Sequence, residues 1–413
     1  MKKKVLAMLL AAAMAVGLVA CGSDKKETEG ASATKAGTET ETEAGTKGVT
    51  NQTDDGGTKA AASGEFDGTI KIGCALPLTG SVALNGEMIL QGIQMAVDEV
   101  NAAGGIDGKE VVIDAQDDQG EPNQAANVAN MFVSDEEVVA VIGNLKSSCT
   151  LAGAPIYEDA GLVTISPDSS SPSVTDAGEY IFRIKDSDTI LASQCAQGAI
   201  DDGHTKFAIC HENNDYGLGV LQVATETIEK ADCEVVAVET ILTGEQTDFS
   251  TSIANIKASG ADAIIMGVDY NESGLFMKQM KDAGLDLPRY ATDGLFTQAF
   301  IEVGGAACDG TTVLTSFHET DTSEKVQGFI AAFKEYTGKD ENPSIFQAEG
   351  YDAAKIVLEA IENAGTDRTA IRDYMSTMKY QGVIGDCTFD ENGDVNIPLM
   401  RCMVKDGKFE LID

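Results

Sequence analysis

Two hydroxyl-dense stretches follow apolar runs in the first half of the chain. One is Asn144-Leu145-Lys146-Ser147-Ser148-Cys149-Thr150, after a run ending at Gly143, and the other is Ser166-Pro167-Asp168-Ser169-Ser170-Ser171-Pro172. Hydroxyls and free backbone N–H groups at the start of a helix make a seat for a carboxylate or a phosphate. For either cluster alone a helix cap or turn is the commoner reading, and it is two of them at equivalent strand ends that bring a binding seat level with it. In the second half, Asp215-Tyr216-Gly217, Asp269-Tyr270 and Asp293-Gly294 take the corresponding places after apolar runs. An acid facing a hydroxyl-lined anion seat suits a zwitterion.

Other chemistry is thin. The chain has no Walker loop, no GxGxxG after a strand, no GxSxG elbow and no HExxH, and without a nucleophile and base pair no enzyme is expected. His204, His211 and His318 are widely spaced, and His211-Glu212 lacks the second histidine of a zinc helix. Asp390-Glu391-Asn392-Gly393-Asp394 lacks the sixth-position glycine and twelfth-position glutamate of a calcium loop and reads as a turn between strands. No metal or cofactor is implied. Of the nine cysteines, Cys21 stands apart, and none of the other eight forms a CxxC pair. Most of these, including Cys74, Cys195, Cys210 and Cys233, fall in or beside expected elements, as small buried hydrophobes do. If any pair bridges, Cys387 with Cys402 is the candidate.

Composition excludes one large class of partner. Lys and Arg number 29 against 67 Asp and Glu, a formal charge of −38, which offers no basic stripe for nucleic acid. Hydrophobic residues at 43%, 43 glycines and only 6% aromatics describe a Gly/Ala/Val-rich globular α/β protein.

The N-terminus reads as an address. Lys2, Lys3 and Lys4 precede an apolar run from Val5 to Leu18, too short for a spanning helix and suited to a secretory signal over residues 1–20. Leu18-Val19-Ala20-Cys21-Gly22 resembles a bacterial lipobox, which implies acylation of Cys21 and anchoring on the extracytoplasmic face of a membrane. Residues 22–65 contain one large aliphatic residue, Val49. They read as an acidic tether with a reach of about 35 to 40 Å.

Residues 66–413 are enough for two domains. Strands are expected at Thr69–Leu76, Val111–Ala115, Val138–Gly143 and Leu162–Ser166, and again at Phe207–His211, Val235–Leu242 and Ala263–Gly267, with helical periodicity between them. Helices are expected to dominate from Glu324 to Met378, before short closing strands at Cys387–Phe389 and Leu399–Val404. Alternation of this kind predicts an α/β fold of doubly wound parallel sheets. Ligands then gather beyond the carboxyl ends of the strands, in the loops after Leu76, Gly143, Ser166, Cys210, Gly267 and Thr292.

Leu76 to Gly86 with Gln91-Gly92, Asn101 to Gly105, Asp117-Asp118, Ile142-Gly143 followed by Ser147-Ser148, Ile156-Tyr157-Glu158, Ile165-Ser166-Pro167, Asp215-Tyr216-Gly217 and Phe249 together resemble the periplasmic leucine/isoleucine/valine-binding proteins, the solute receptors of ABC importers. The resemblance runs over nearly all of residues 67–413. It implies two lobes joined by three crossovers that close on ligand like a clamp, the first lobe at residues 67–187 and 316–380, the second at 188–315 and 381–413. It further implies a monomer, a small amino acid of branched-chain type or a relative as ligand, and a membrane permease as partner. A carboxylate would be held by Ser147, with Ser148 beside it, by the Asp168 backbone and by Ser170. The ammonium would meet Asp293, with Tyr216 and Tyr270 covering the ligand. Asn85 stands where an aromatic residue commonly walls the side-chain pocket and Asp293 is one methylene shorter than the usual Glu, departures that open the alternative of an amide, urea or small carboxylic acid as ligand; the same clamp fold also allows a sensing role with another membrane partner. Gly120 and Lys146 replace two cysteines that are bridged in some members.

Overall fold

The computed structural model describes residues 66–412; the expected signal, Cys21 and the tether of residues 22–65 lie outside them. The chain begins with β1 (Thr69–Leu76), α1 (Ala83–Ala102), β2 (Glu110–Asp117), α2 (Pro122–Ser134), β3 (Val138–Gly143), α3 (Ser147–Asp159), β4 (Thr164–Ser166) and β5 (Ile181–Arg183). These five strands form one parallel sheet in the order β2-β1-β3-β4-β5. All six residues of β3 are buried, as a central parallel strand covered on both faces requires. Pro122 opens α2, where its missing N–H removes no hydrogen bond.

A second run follows: α4 (Asp188–Asp201), β6 (Lys206–Glu212), α5 (Asp215–Lys230), β7 (Glu234–Ile241), α6 (Ser250–Ser259), β8 (Ala263–Gly267), α7 (Tyr270–Asp282), β9 (Arg289–Ala291), α8 (Gln298–Gly304) and β10 (Thr311–Thr315). The chain then adds α9 (Glu324–Thr337), α10 (Ile345–Ala364), α11 (Arg368–Met375), the antiparallel pair β11 (Lys379–Gln381) and β12 (Asp386–Thr388), and finally β13 (Met400–Lys405) and β14 (Lys408–Leu411). The second sheet runs β14-β13-β10-β9-β8-β6-β7, parallel from β10 to β7 and antiparallel at β13 and β14.

Each sheet has a core on either face. Ile72, Ile89, Ile142, Phe346 and Ile361 belong to one side of the first sheet, and Phe132, Val141, Tyr157 and Ile181 to the other. The second sheet is covered likewise by Phe249, Ile264, Phe276 and Val313 and by Leu191, Phe207, Val220 and Ile265. α10 lies directly on α1. A β-carbon on Gly92 would sit 2.1 Å from the Gln347 carbonyl oxygen and one on Gly350 2.1 Å from that of Ile89, so only glycine permits this approach.

The chain crosses between lobes three times: after β5, after β10 and before β13. The last crossing lies later than the 380/381 boundary drawn from the sequence, because Ile384, Cys387, Phe389, Val395 and Ile397 all pack in the first lobe's core. Two crossings are tied together, Ile397 N donating to Asp186 Oδ1 at 2.9 Å. The Asp390–Asp394 turn carries an anchor as well, since Asp394 receives both Nε and Nη2 of Arg183 at 2.7 Å. All eight described cysteines are free thiols. Cys387 is in the first lobe's core while Cys402 pairs with Val313 on the second sheet, so that candidate bridge is not made. Among the described residues no helix is long and apolar enough to cross a membrane.

Candidate functional site

In both sheets the strand order reverses beside the first strand of the set, at β1/β3 and at β6/β8. Ligands of doubly wound sheets bind at that reversal, outside the carboxyl ends of the strands. The two reversals supply the two walls of one cleft. It is lined by Leu145, Lys146, Ser147, Ser148, Asp168, Ser170 and Lys185 from the first lobe and by Glu212, Asn214, Tyr216, Asp269, Asp293 and Gly294 from the second.

The first wall is held by a hydrogen-bonded lattice. Gly143 ends β3 at φ +146°, where a β-carbon would lie 2.3 Å from the Ala75 carbonyl oxygen. Asn144 then donates to the buried Asp118 at 2.7 Å and its carbonyl accepts from Ser166 Oγ at 2.6 Å. Ser169 Oγ shares a 2.7 Å bond with Thr150 Oγ1, and Ser171 N donates to Ser147 Oγ at 3.1 Å. The two hydroxyl clusters are therefore one interlocked surface at the α3 N-terminus. Arg183, wholly buried, grips its back through the Ser171 carbonyl at 2.8 Å.

The second wall stands on β6 and β8. Glu212 accepts from Asp269 N at 3.0 Å and from Thr243 Oγ1 at 2.9 Å, and Asn214 caps α5 by accepting from Gly217 N at 3.0 Å. The Tyr216 hydroxyl shares a 2.6 Å bond with Thr292 Oγ1. Burial, with Asp269 adding to it, pushes the Glu212 carboxyl up to about 8 despite Lys146.

Two ion pairs cross the cleft. Lys146 Nζ lies 3.2 Å from Asp269 Oδ2 and Lys185 Nζ lies 2.7 Å from Asp293 Oδ2. Lys185 also contacts Asp168 and, at 3.2 Å, Glu349 of α10. Burial works against both ammonium groups, yet the facing carboxylates hold each above its ordinary value. Burial pushes Asp168 up to about 6, with Lys185 opposing. The cavity left between the walls is about 40 Å³, room for about three waters, so a larger ligand enters only when the lobes part and lysine side chains move.

Six of the eight expected ligand residues line this cleft: Ser147, Ser148, Asp168, Ser170, Tyr216 and Asp293. Two do not. Asn85 is buried on α1 and is not among the lining residues, with no hydrogen-bond partner for its Oδ1. Tyr270 packs against the cores of both lobes, where they touch outside the cavity. Asp293 already has an ammonium partner in Lys185, and the Asp168 carboxylate meets the same ammonium. Lys185, Glu212 and Asn214 were not foreseen. The signal for Lys185 was the charged run Arg183-Ile184-Lys185-Asp186-Ser187-Asp188 after a three-residue strand too short to show periodicity. Gly120 and Lys146 are neighbours, a β-carbon on the glycine lying 3.4 Å from Lys146 Cδ; the glycine leaves room for the lysine stem.

Comparison with known proteins agrees with this architecture. Residues 69–408 match the family model described as periplasmic binding protein. A leucine-, isoleucine-, valine-, threonine- and alanine-binding protein of Pseudomonas aeruginosa is 32% identical over 324 residues, 77% of this chain and 85% of the relative. The branched-chain amino acid transporter substrate-binding protein LivJ of Streptococcus pneumoniae, solved with isoleucine, superposes with a TM-score of 0.77 at 30% identity, covering 83% of this chain and 99% of that one. The leucine-binding protein LivK of Thermotoga maritima gives the same TM-score at 29% identity, covering 83% and 98%. With the family model spanning both lobes and every crossing between them, the chain belongs to the periplasmic binding proteins.

Proposed function

We propose that this protein is the extracytoplasmic solute receptor of an ABC importer, binding a small amino acid between its lobes and presenting the closed form to a membrane permease. The observation that carries the reading is the single cleft at the strand-order reversals of both sheets, with a hydroxyl-lined helix N-terminus on one wall and carboxylates on the other. In this reading the ligand carboxylate sits at the α3 N-terminus against Ser147 and Ser148, and its ammonium exchanges into the carboxylate set that the lysines now occupy. Charge-assisted hydrogen bonds contribute about 1.5 to 3 kcal/mol each, and three or four of them are consistent with micromolar binding at about −8 kcal/mol. The action is binding and release, with no bond made or broken. Acylation of Cys21 and a tether of residues 22–65 belong to the same reading, since an anchored receptor stays near its permease. A thermal-shift panel over the amino acids, short amides and small carboxylic acids tests it. Saturation at 100 times the dissociation constant adds about 2.7 kcal/mol of stability. A panel in which amides or simple acids stabilise the protein and no amino acid does would overturn it.

A further inference from the structure

The cleft holds more carboxyl groups than the chain has ammonium groups to meet them. Asp168, Glu212, Asp269 and Asp293 line it against only the two ammonium groups of Lys146 and Lys185. Two more fully buried acids stand directly behind, Glu349 on Lys185 and Asp188 on the hydroxyl of Ser170. One oxygen of each, Glu349 Oε2 and Asp188 Oδ1, has no hydrogen-bond partner. Buried carboxylate oxygens in this condition are costly, and such groups take up protons or find cations. Burial, reinforced by neighbouring carboxylates, pushes Asp188 as well as Glu212 up to about 8.

The walls also lack what an aliphatic ligand needs. Leu145 and the Tyr216 ring are the only large apolar groups on the lining. A leucine side chain placed there would strip water from charges and return little burial of apolar surface.

We propose that the ligand is a cationic amino acid, with an ammonium or guanidinium on its side chain in addition to the α-ammonium, and that Glu212 and Asp269 receive the side-chain cation. This deepens the receptor reading above and rests on it. Lys146 marks the place. Its Nζ has one carboxylate partner in ion-pair range, and Asp269 Oδ2 accepts no aligned hydrogen bond from it. Lys185, by contrast, is held by three carboxylates. When the lobes part, Lys146 is the ammonium most easily exchanged for a ligand's. Its flexible stem lies beside Gly120, which adds no side chain to obstruct the swing. The ligand's α-carboxylate then takes the α3 N-terminus, and its α-ammonium falls to the carboxylates around Asp293.

Titration calorimetry on the full chain with L-lysine, L-ornithine, L-arginine, L-leucine and L-isoleucine tests the proposal. At least one of the three cationic ligands is expected to bind tenfold or more tightly than either aliphatic one. Glu212→Gln and Asp269→Asn, each checked for native circular dichroism, are expected to weaken that binding fivefold or more. Having both variants keeps the test open if one of them fails to fold. Leucine or isoleucine binding without any of the cationic three overturns the cationic ligand and leaves the receptor reading standing. Unchanged affinity in the folded variants overturns the place given to Glu212 and Asp269. If none of the five binds but another amino acid of the thermal-shift panel does, the cationic ligand alone falls; if no amino acid of that panel binds, the receptor reading falls with it.

Discussion

Lys185 Nζ stands 2.7 Å from Asp293 Oδ2, the lysine on the first crossing between lobes and the aspartate on the second lobe's wall of the cleft. The side chains are 5% and 4% exposed, so the pair is shielded from solvent on both sides. Asp168 and Glu349 complete the shell around the ammonium. One lysine thus holds together acids from both lobes at the base of the clamp, and closure of the cleft is built into the chain's own charges.

Lys185→Met removes that cation and leaves Asp168, Asp293 and Glu349 facing one another. Breaking a buried pair from one side costs about 3 to 5 kcal/mol. The loss should be largest at pH 8 and shrink at pH 5, because the Asp168 carboxyl, already raised to about 6 by burial, takes up a proton there. Urea unfolding of both proteins at the two pH values measures it. Equal midpoints at pH 8 would mean that the acids are neutralised without Lys185.

Lys146→Ala tests the second cross-lobe pair, at 3.2 Å between side chains 9% and 17% exposed. With part of the pair reached by solvent, its worth is about 1 kcal/mol, which shifts the balance of closed to open forms about fivefold. Small-angle scattering of the ligand-free protein should show a larger radius of gyration in the variant. Salt at about 0.5 M should move the unmodified chain part of the way in the same direction, since screening weakens the exposed share of the pair. An unchanged radius would assign closure to Lys185 and the apolar contacts around Tyr270 instead.

The fold was legible where periodicity had room to show. Thr69–Leu76, Val138–Gly143 and Ala263–Gly267 are strands at the residues their β-branched runs mark. β5 and β9, at three residues each, were invisible to that method, and with β5 went the crossing that carries Lys185. In the cleft, the Ser147 and Ser170 clusters were readable because hydroxyl-dense loops after strands are locally unusual. Glu212 was not, since a carboxylate at the end of a strand looks like any other strand end until β8 brings Asp269 beside it. Asn85 does not line the cavity, for the opposite reason: a position transferred along a helix says nothing about which way the helix faces, and α1 buries this amide.

Thiol labelling checks the cysteines. Seven of the eight described residues are buried and Cys233 alone is half-exposed; burial also pushes Cys195 and Cys402 up to about 12, which keeps them as unreactive thiols at neutral pH. Brief alkylation of the native protein should therefore modify Cys233 first. After denaturation without reductant, peptide mapping should find all eight alkylated. Protection of any pair until reductant is added would demonstrate a disulfide.

Glu212 makes stability depend on pH in a direction opposite to ordinary acid denaturation. Its folded value, raised to about 8 chiefly by burial, lies far above that of the unfolded chain, about 4.3. The charged groups facing it are Lys146 at the start of α3 and Asp269 before α7. Between the two values the folded protein binds the proton more tightly than the unfolded chain. The contribution is therefore fully present below about pH 4.3 and is lost as pH rises through about 8. Asp188, also near 8, and Asp352, near 7, slope the same way, so Glu212→Gln should flatten the profile without abolishing it. Urea midpoints at half-unit steps from pH 5 to 8.5 give the measurement. The unmodified chain should lose ground to Glu212→Gln steadily above pH 5. Parallel curves would mean that Glu212 carries no extra proton in the folded chain over this range and stands in the cleft as a carboxylate.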